Sequence, residues 1–421
     1  MTPTAPAATA PKSRKWRFLP LLAALGPGII AASAGNDAGG IATYSAAGAS
    51  YGYATLWMIL VMTFSLVVIQ EMAARMGAVT GKGFAALIRE RFGIRPTLFA
   101  MFCLLASNAA TSVAEFAGIA AALELFGVSK YISVPIAAVV VWLLVVRGSY
   151  RNVEKMLLVL SAVFLSYVVA AFMAKPDWAV VLKATVVPTF IATPAFVLLV
   201  IATIGTTIAP WMQFFVQSNI VDKGVTVKDL RYQRVDVIAG SVAANVVAWF
   251  IIVTTGAVLY PQGIAASSAD AAAQALAPIA GQYASSLFAI GLFGASLLAA
   301  FVLPLTASYA VCEAFGFERG IDRSWKEAPV FNGIFTFVIF FGAILVLIPS
   351  APLISIMVLS QAVNGILLPF LLIFMMVIIN DRRIMGRHVN GRTYNAIGWT
   401  TVVVVISLTV ALLVMTALGV G

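Results

Sequence analysis

The chain has 421 residues, 62% of them hydrophobic and 10% charged, with a mean hydropathy of +1.02. A soluble domain carries about 25% charged residues, so these values exclude a soluble enzyme and indicate a polytopic membrane protein. The formal charge of +10 raises the question of nucleic acid, but the distribution of the basic residues points to membrane topology instead.

Residues 1–17 are Pro/Ala-rich and then basic, with Lys12, Arg14, Lys15 and Arg17. They read as a disordered cytoplasmic tail. The apolar stretch that follows is too long for the h-region of a cleavable signal. Residues 18–421 read as a single transmembrane domain. Hydropathy places eleven spans in it, at about 18–47, 52–76, 96–126, 131–148, 153–174, 189–220, 234–260, 280–316, 328–348, 351–380 and 394–419. With the N-terminus inside, all 26 basic residues except Lys130, Lys175 and Lys183 fall on the inner side. A wrong span count would scramble that bias, so the positive-inside rule supports eleven spans in an inner or plasma membrane with a cytoplasmic N-terminus.

The first span carries a charge where a charge is expensive. Asp37 lies in Ala34-Gly35-Asn36-Asp37-Ala38-Gly39-Gly40, near the middle of an apolar stretch. A carboxylate at bilayer depth costs several kcal/mol unless it is partnered. The glycines favour unwound backbone, which survives in a membrane only where it lines a cavity. An Asp beside freed carbonyls is a cation site in outline; the alternative is a kinked helix whose Asp pairs with a neighbouring helix.

The sixth span is broken too. It reads Ile-Ala-Thr-Ile-Gly-Thr-Thr-Ile-Ala-Pro-Trp-Met-Gln over residues 201–213, and Pro210 frees carbonyls one turn earlier, near Thr206. Breaks in the first and sixth spans correspond if spans 1–5 and 6–10 are inverted repeats, with span 11 added. Interrupted helices at matching places point to a transporter with its substrate at the midplane. A tilted bundle with ordinary proline kinks is the competing account.

These segments resemble the Nramp family of divalent-metal transporters over nearly the whole chain. The family begins helix 1 with Gly-Pro-Gly, present as Gly26-Pro27-Gly28. Its helix 1 then carries Asp-Pro-Gly-Asn, where this chain has Asp37-Ala38-Gly39-Gly40. Its helix-3 Asp-Leu-Ala-Glu stands here as Ser112-Val113-Ala114-Glu115, and its helix-6 Met-Pro-His as Ala209-Pro210-Trp211. Ser360-Gln361 and Leu368-Pro369-Phe370 match helix 10, and Leu230-Arg231-Tyr232 to Asp236 matches the run after helix 6. The resemblance implies an all-α fold of about eleven transmembrane helices, a LeuT-type inverted repeat of helices 1–5 and 6–10 with helices 1 and 6 broken.

The departures from that pattern shape the expected chemistry. In the family the metal is held by the helix-1 Asp and Asn, the helix-6 Met sulfur and backbone carbonyls. Thioether sulfur is soft and favours transition metals. Here the Met position is Ala209 and the Asn position is Gly40. What remains is Asp37, carbonyls near Ala34 and Thr206, and the amide oxygen of Gln361. Mg²⁺ prefers oxygen, keeps its waters and is commonly held by one or two carboxylates. The pattern resembles the Nramp-related magnesium branch, with Mn²⁺ also accepted. The family's helix-3 Asp and helix-6 His are Ser112 and Trp211, so proton coupling is not expected. Glu115 either shuttles protons or balances a nearby donor such as Ser112, Asn108 or Thr111. A divalent cation entering an inside-negative cell gains about 4.6 kcal/mol per 100 mV without a coupling ion, from roughly 2.3 per charge.

Other polar residues take lesser roles. Glu71 and Arg75 have the spacing of a helical ion pair. Asp236 and Glu313 sit near inner helix ends, where pairing or gating is expected. Gln361 and Asn364 share one face of helix 10. Asn36, Gln213, Gln217 and Trp211 are candidates to border the pocket, and His388, in an inner loop, reads as a bystander. The two cysteines, Cys103 and Cys312, make no disulfide framework or zinc spacing. There is no Walker loop and no nucleophile paired with a histidine, so no enzyme is expected. The reading is an alternating-access carrier moving Mg²⁺, and also Mn²⁺, into the cytoplasm. Its partners are the ion and the bilayer, with no cofactor and no nucleic acid; a monomer is compatible with this scheme. The alternatives are a proton-coupled Mn²⁺/Fe²⁺ importer, a non-transporting membrane sensor and an organic-solute symporter on the same general fold.

Overall fold

The computed structural model describes residues 36–146, 162–320 and 323–419, and every regular element among them is helical. Helices are what this composition requires. Lipid offers no hydrogen-bond partners, so backbone groups in an apolar span must be satisfied within the segment. The helices are α1 (Ala38–Tyr51), α2 (Leu56–Thr80), α3 (Phe84–Phe92), α4 (Ile94–Glu124), α5 (Lys130–Val146), α6 (Ser166–Met173), α7 (Trp178–Val186), α8 (Pro194–Thr207), α9 (Pro210–Asp222) and α10 (Leu230–Val258). They continue with α11 (Ala269–Ala273), α12 (Ala277–Ala280), α13 (Ala284–Phe315), α14 (Pro329–Val346), α15 (Leu353–Asn380), α16 (Arg382–Met385) and α17 (Arg392–Ala417).

Among the described residues eight helical stretches are long and apolar enough to cross a membrane. They coincide with the expected spans 2, 3 and 6 to 11. The expected fourth span is the shorter α5, which is 17 residues long. The first span is described only from Asn36 and the fifth only from Ala162. The N-terminal tail, the Gly26-Pro27-Gly28 start and Ala34 lie outside the described residues.

α4 is the hub of the bundle, with α13, α14 and α15 packed along it. α1 lies against α10 and α15, and α8 lies against α15. The α8–α15 contact is backbone to backbone: a Cβ on Gly205 would overlap the Gln361 carbonyl and the Gly365 amide. Burial separates centre from edge. In the α8–α9 span 89% of the apolar window is inside the protein, whereas in α17 the figure is 22%. α17 therefore turns most of its surface outward, and exposed Val403, Val404, Val410, Leu413 and Val414 suit an acyl-chain environment.

The end of the bundle that is rich in arginine is tied by buried charge. Glu71 on α2 accepts from Arg75 Nε at 3.2 Å and from Arg234 Nε of α10 at 2.8 Å. Arg75 also donates to the His388 carbonyl at 2.7 Å and to Asn390 Oδ1 at 2.5 Å. The expected Glu71–Arg75 pair is present, and Arg234 extends it across the bundle. His388 takes part through its carbonyl. Glu313 accepts from the Gly83 amide at 2.8 Å and pairs with Arg319 at 3.6 Å, while Asp236 is fully buried.

Candidate metal centre

α1 begins inside the protein, and Asp37 caps it. Its backbone is extended (φ −73°, ψ −178°), and its carbonyl accepts the first intrahelical bond from the Ile41 amide at 3.0 Å. Its Oδ1 accepts from the Gly40 amide at 2.7 Å. This is the N-cap arrangement that satisfies orphan amides and opposes the positive end of the helix dipole. The same side chain thus starts the helix and places a carboxylate, 2% exposed, at its tip. Gly40 is part of this device: its amide positions the carboxylate.

A second carboxyl approaches the same tip. Glu115, fully buried on α4, accepts through Oε2 at 3.3 Å from the amide of Ala38, the residue next to Asp37. Its Oε1 has no partner among the described residues. The donor beside Glu115 is thus the α1 backbone. Of the candidates named from sequence, Ser112 donates to the Val338 carbonyl at 3.2 Å, Asn108 to the Leu303 carbonyl at 3.0 Å, and Thr111 to the Ser107 carbonyl at 3.0 Å. Those side chains serve α14, α13 and α4 itself, because neighbouring helices crowd three sides of α4.

The second break lies between Thr207 and Pro210. α8 closes with the Ile208 amide on the Ile204 carbonyl at 2.9 Å, and α9 restarts with Pro210 at its first position. Pro210 has no N–H to offer Thr206, so the carbonyls of Gly205, Thr206 and Thr207 lack intrahelical donors. The buried Thr206 hydroxyl oxygen has no partner among the described residues either. These groups form the negative end of α8's dipole, which suits a cation. Ala209, 2% exposed, caps α9 and offers only a methyl group where the family has a thioether.

A tie that the sequence reading missed joins the two breaks. Tyr44 on α1 and Thr207 on α8 are 3.0 Å apart, oxygen to oxygen. Thr207 spends its proton on the Thr203 carbonyl at 2.7 Å, so Tyr44 is the donor. The only sequence signal was the position of Tyr44, two turns after Asp37 on the same helix face.

α15 closes the site from a third side. A Cβ on Gly39 would overlap Gln361 Nε2, so only glycine lets this side chain reach the start of α1. Gln361 Oε1 accepts from Asn364 Nδ2 at 2.8 Å. Asn364 in turn donates to Thr111 Oγ1 at 2.8 Å and accepts from Ser107 Oγ at 2.6 Å. Thr111 must accept, since its own proton goes to the Ser107 carbonyl. Gln361 therefore presents its NH₂ to α1 and its oxygen to Asn364.

The remaining candidates lie away from this cluster or face elsewhere. Gln213, with its amide nitrogen set toward the carbonyls, folds back onto Pro210 and Ala209 at 2.6 and 2.9 Å. Gln217 donates to the Lys82 carbonyl at 2.8 Å. Asn36 reaches the Ala244 carbonyl on α10 at 3.4 Å. Trp211 is fully buried and packs edge-on against Phe215, its Nε1 without a partner among the described residues. Among the described residues no cluster of three or more His, Cys, Asp or Glu side chains exists. A cation here would meet one or two carboxyls, backbone carbonyls and its own waters.

An all-α bundle with a helix starting at a buried Asp and another interrupted at mid-length has the architecture of membrane transporters. The fold is similar to that of Mhp1, a nucleobase-cation-symport-1 family transporter, with a TM-score of 0.57 at 14% identity, covering 93% of this chain and 92% of that one. It is closer to the Eremococcus coleocola manganese transporter in complex with an aromatic bis-isothiourea substituted compound, with a TM-score of 0.76 at 22% identity, covering 96% and 88%. Residues 28–415 match the family described as "Natural resistance-associated macrophage protein-like", and the chain belongs to this Nramp family, which comprises transporters rather than enzymes. The divalent metal cation transporter MntH of Bacillus subtilis (strain 168) is 29% identical over 409 residues, covering 95% of this chain and 93% of the relative. MntH of Klebsiella pneumoniae is 30% identical over 409 residues, covering 95% of each.

Proposed function

We propose that the protein carries divalent cations into the cytoplasm by alternating access, with Mg²⁺ as the main substrate and Mn²⁺ also accepted. Membrane potential drives entry and no proton is required. In this reading eleven spans form the inverted repeat outlined above, in a plasma or inner membrane with the N-terminus inside. Asp37 is the principal ligand, with the carbonyls of Ala34 and Thr206 and the Gln361 amide completing an oxygen set. The single observation that carries the proposal is the pairing of a carboxylate-capped α1 with an α9 whose N-cap is Ala209. Among the described residues the donors named at the two breaks are oxygens, and hard oxygen ligands with retained water suit Mg²⁺. Ligation by Gln361 needs its amide to rotate, which releases Asn364 and couples ion capture to the α4–α15 contact.

A second reading is a proton-coupled manganese importer. It is favoured by Glu115, whose second oxygen has no partner among the described residues, and by relatives named for manganese or divalent metals.

The test is uptake into proteoliposomes at fixed inside-negative potential, comparing Mg²⁺, Mn²⁺, Ca²⁺ and Cd²⁺ while recording internal pH, with Asp37→Ala as control. Mg²⁺ entry without acidification, lost in the control, is expected. Exclusion of Mg²⁺ with Mn²⁺ entering alongside protons would establish the second reading.

A further inference from the structure

At the arginine-rich end, a cavity of about 650 Å³ opens between the C-terminus of α15 and the N-terminal half of α17. Its lining changes character along the two helices. Arg91, Arg382 and Arg383, all exposed, line it with one carboxylate, Asp381. The half-buried amides of Asn380 and Asn395 lie beside them. Then Met376 and Val377 of α15 and Trp399 of α17 complete the wall. Met376 precedes Asn380 by one turn and Trp399 follows Asn395 by one turn, so both lie deeper into their spans.

We propose that this cavity binds an anionic phospholipid, its phosphodiester at Arg382 and Arg383 and an acyl chain along Met376, Val377 and Trp399. The charges in the lining are not balanced. Asp381 accepts from Arg91 Nε at 2.7 Å and from the Arg383 amide at 2.9 Å. The Arg383 amide foremost, and the Arg91 guanidinium, hold its carboxyl below the usual carboxylate range. It is therefore charged and already paired with Arg91. The guanidinium groups of Arg382 and Arg383 are exposed and form no direct ion pair among the described residues. Two guanidinium forks suit the oxygens of one phosphate.

The floor is built rather than incidental. Asn380 and Asn395 exchange amide hydrogen bonds at 2.7 and 3.0 Å, and Asn380 spends its other amide proton on the Met376 carbonyl at 2.8 Å. Asn395 also accepts from Asn390 at 3.1 Å. Its own second amide proton has no partner among the described residues and can meet a phosphate or glycerol oxygen. The polar-to-apolar order along α15 and α17 separates a lipid from a free anion, which would use the arginines alone. Trp399, 40% exposed, has the amphipathic character of a membrane-interface residue. Basic pockets between transmembrane helices on the cytoplasmic side are a recurring place for anionic headgroups. The choice of leaflet rests on the orientation proposed above; the binding does not.

The experiment uses the full chain, delipidated in neutral detergent and followed by tryptophan fluorescence during heating. Phosphatidylglycerol, phosphatidylcholine and inorganic phosphate are titrated separately. The wild type, the double variant Arg382→Gln/Arg383→Gln, Trp399→Leu, and the distant control Arg323→Gln/Lys326→Gln are compared. A saturable rise in Tm with phosphatidylglycerol alone is expected, its half-point about tenfold higher in the Arg382/Arg383 double variant and unchanged in the control. Trp399→Leu, which keeps the arginines, weakens the phosphatidylglycerol response and keeps the discrimination against phosphatidylcholine. An equal response to phosphatidylcholine, or an unchanged half-point in the double variant, overturns the proposal. So does a full response to inorganic phosphate, which makes the cavity a free-anion site. Cation uptake is not read in this experiment, so its outcome stands apart from that of the transport proposal. If the double variant fails to fold, Trp399→Leu and the lipid comparison on the wild type decide the matter.

Discussion

Among the described residues, the two helices that meet at the candidate site start differently. α1 begins at Asp37, whose side chain caps the helix and leaves a carboxylate at the tip. α9 begins at Ala209-Pro210, with no side-chain cap, and the exposed polarity comes from the carbonyl end of α8 just before it. One break supplies a formal charge and the other supplies dipoles. The charged break needs only one residue type at one position, whereas the dipolar break needs a missing N–H. In the proposed function a cation between them would be bound by both means, and the difference between the breaks can be tested from each side.

The largest expected effect comes from removing the charge. Asp37→Asn keeps an N-cap side chain but loses the only carboxylate on α1, and cation uptake into proteoliposomes should fall by about 10²-fold or more. Unchanged uptake would mean that the dipolar break alone suffices.

Gly39→Ala acts one residue beyond that carboxylate. Its methyl group collides with Gln361, and overpacking of this kind costs about 1–3 kcal/mol, read as a fall in Tm together with lost uptake. Pairing it with Gln361→Ala should restore much of the Tm, because the colliding atoms are gone. Failure of that rescue would place the damage in the α1 backbone.

Ala209→Met sharpens the comparison at the other break. A thioether there adds a soft donor, and competition by Cd²⁺ for uptake should strengthen by about tenfold, roughly 1.4 kcal/mol. An unaltered Cd²⁺ profile would show that the residue at this position does not face the ion.

The smallest effect belongs to the link between the breaks. Tyr44→Phe deletes the bond to Thr207 and should lower stability by about 1 kcal/mol, measured by denaturant or thermal unfolding, with Thr207→Val giving a comparable fall. If the two losses add in the double variant, the residues act independently and the link is not a coupling element.

How legible the site was varied with the kind of interaction. Asp37 stood out because a charge in an apolar span is costly wherever the span ends up. The break at Pro210 was legible because a missing N–H is a property of the residue itself. The Glu71–Arg75 pair followed from spacing on one helix, but Arg234 did not, since it arrives from α10. For Glu115 the sequence offers donors on its own helix, whereas its partner in the structure is the Ala38 amide. Gln361 and Asn364 were placed on a shared face correctly; that Asn364 would claim the Gln361 oxygen required Ser107 and Thr111 from α4. Gln213 is a pocket-bordering candidate by sequence, and the structure turns its amide back onto its own helix.

By itself the sequence determined that the chain is helical and membrane-embedded, where its described spans lie, and which residue puts charge into the first of them. These follow from transfer free energy and from local backbone chemistry, which act within a single segment. The tertiary structure decided which groups meet: Glu115 with the tip of α1, Tyr44 with Thr207, Gln361 with Gly39. Helical periodicity specifies the face a side chain occupies but not the helix opposite it, and that choice is made by how α1, α4, α8 and α15 pack together.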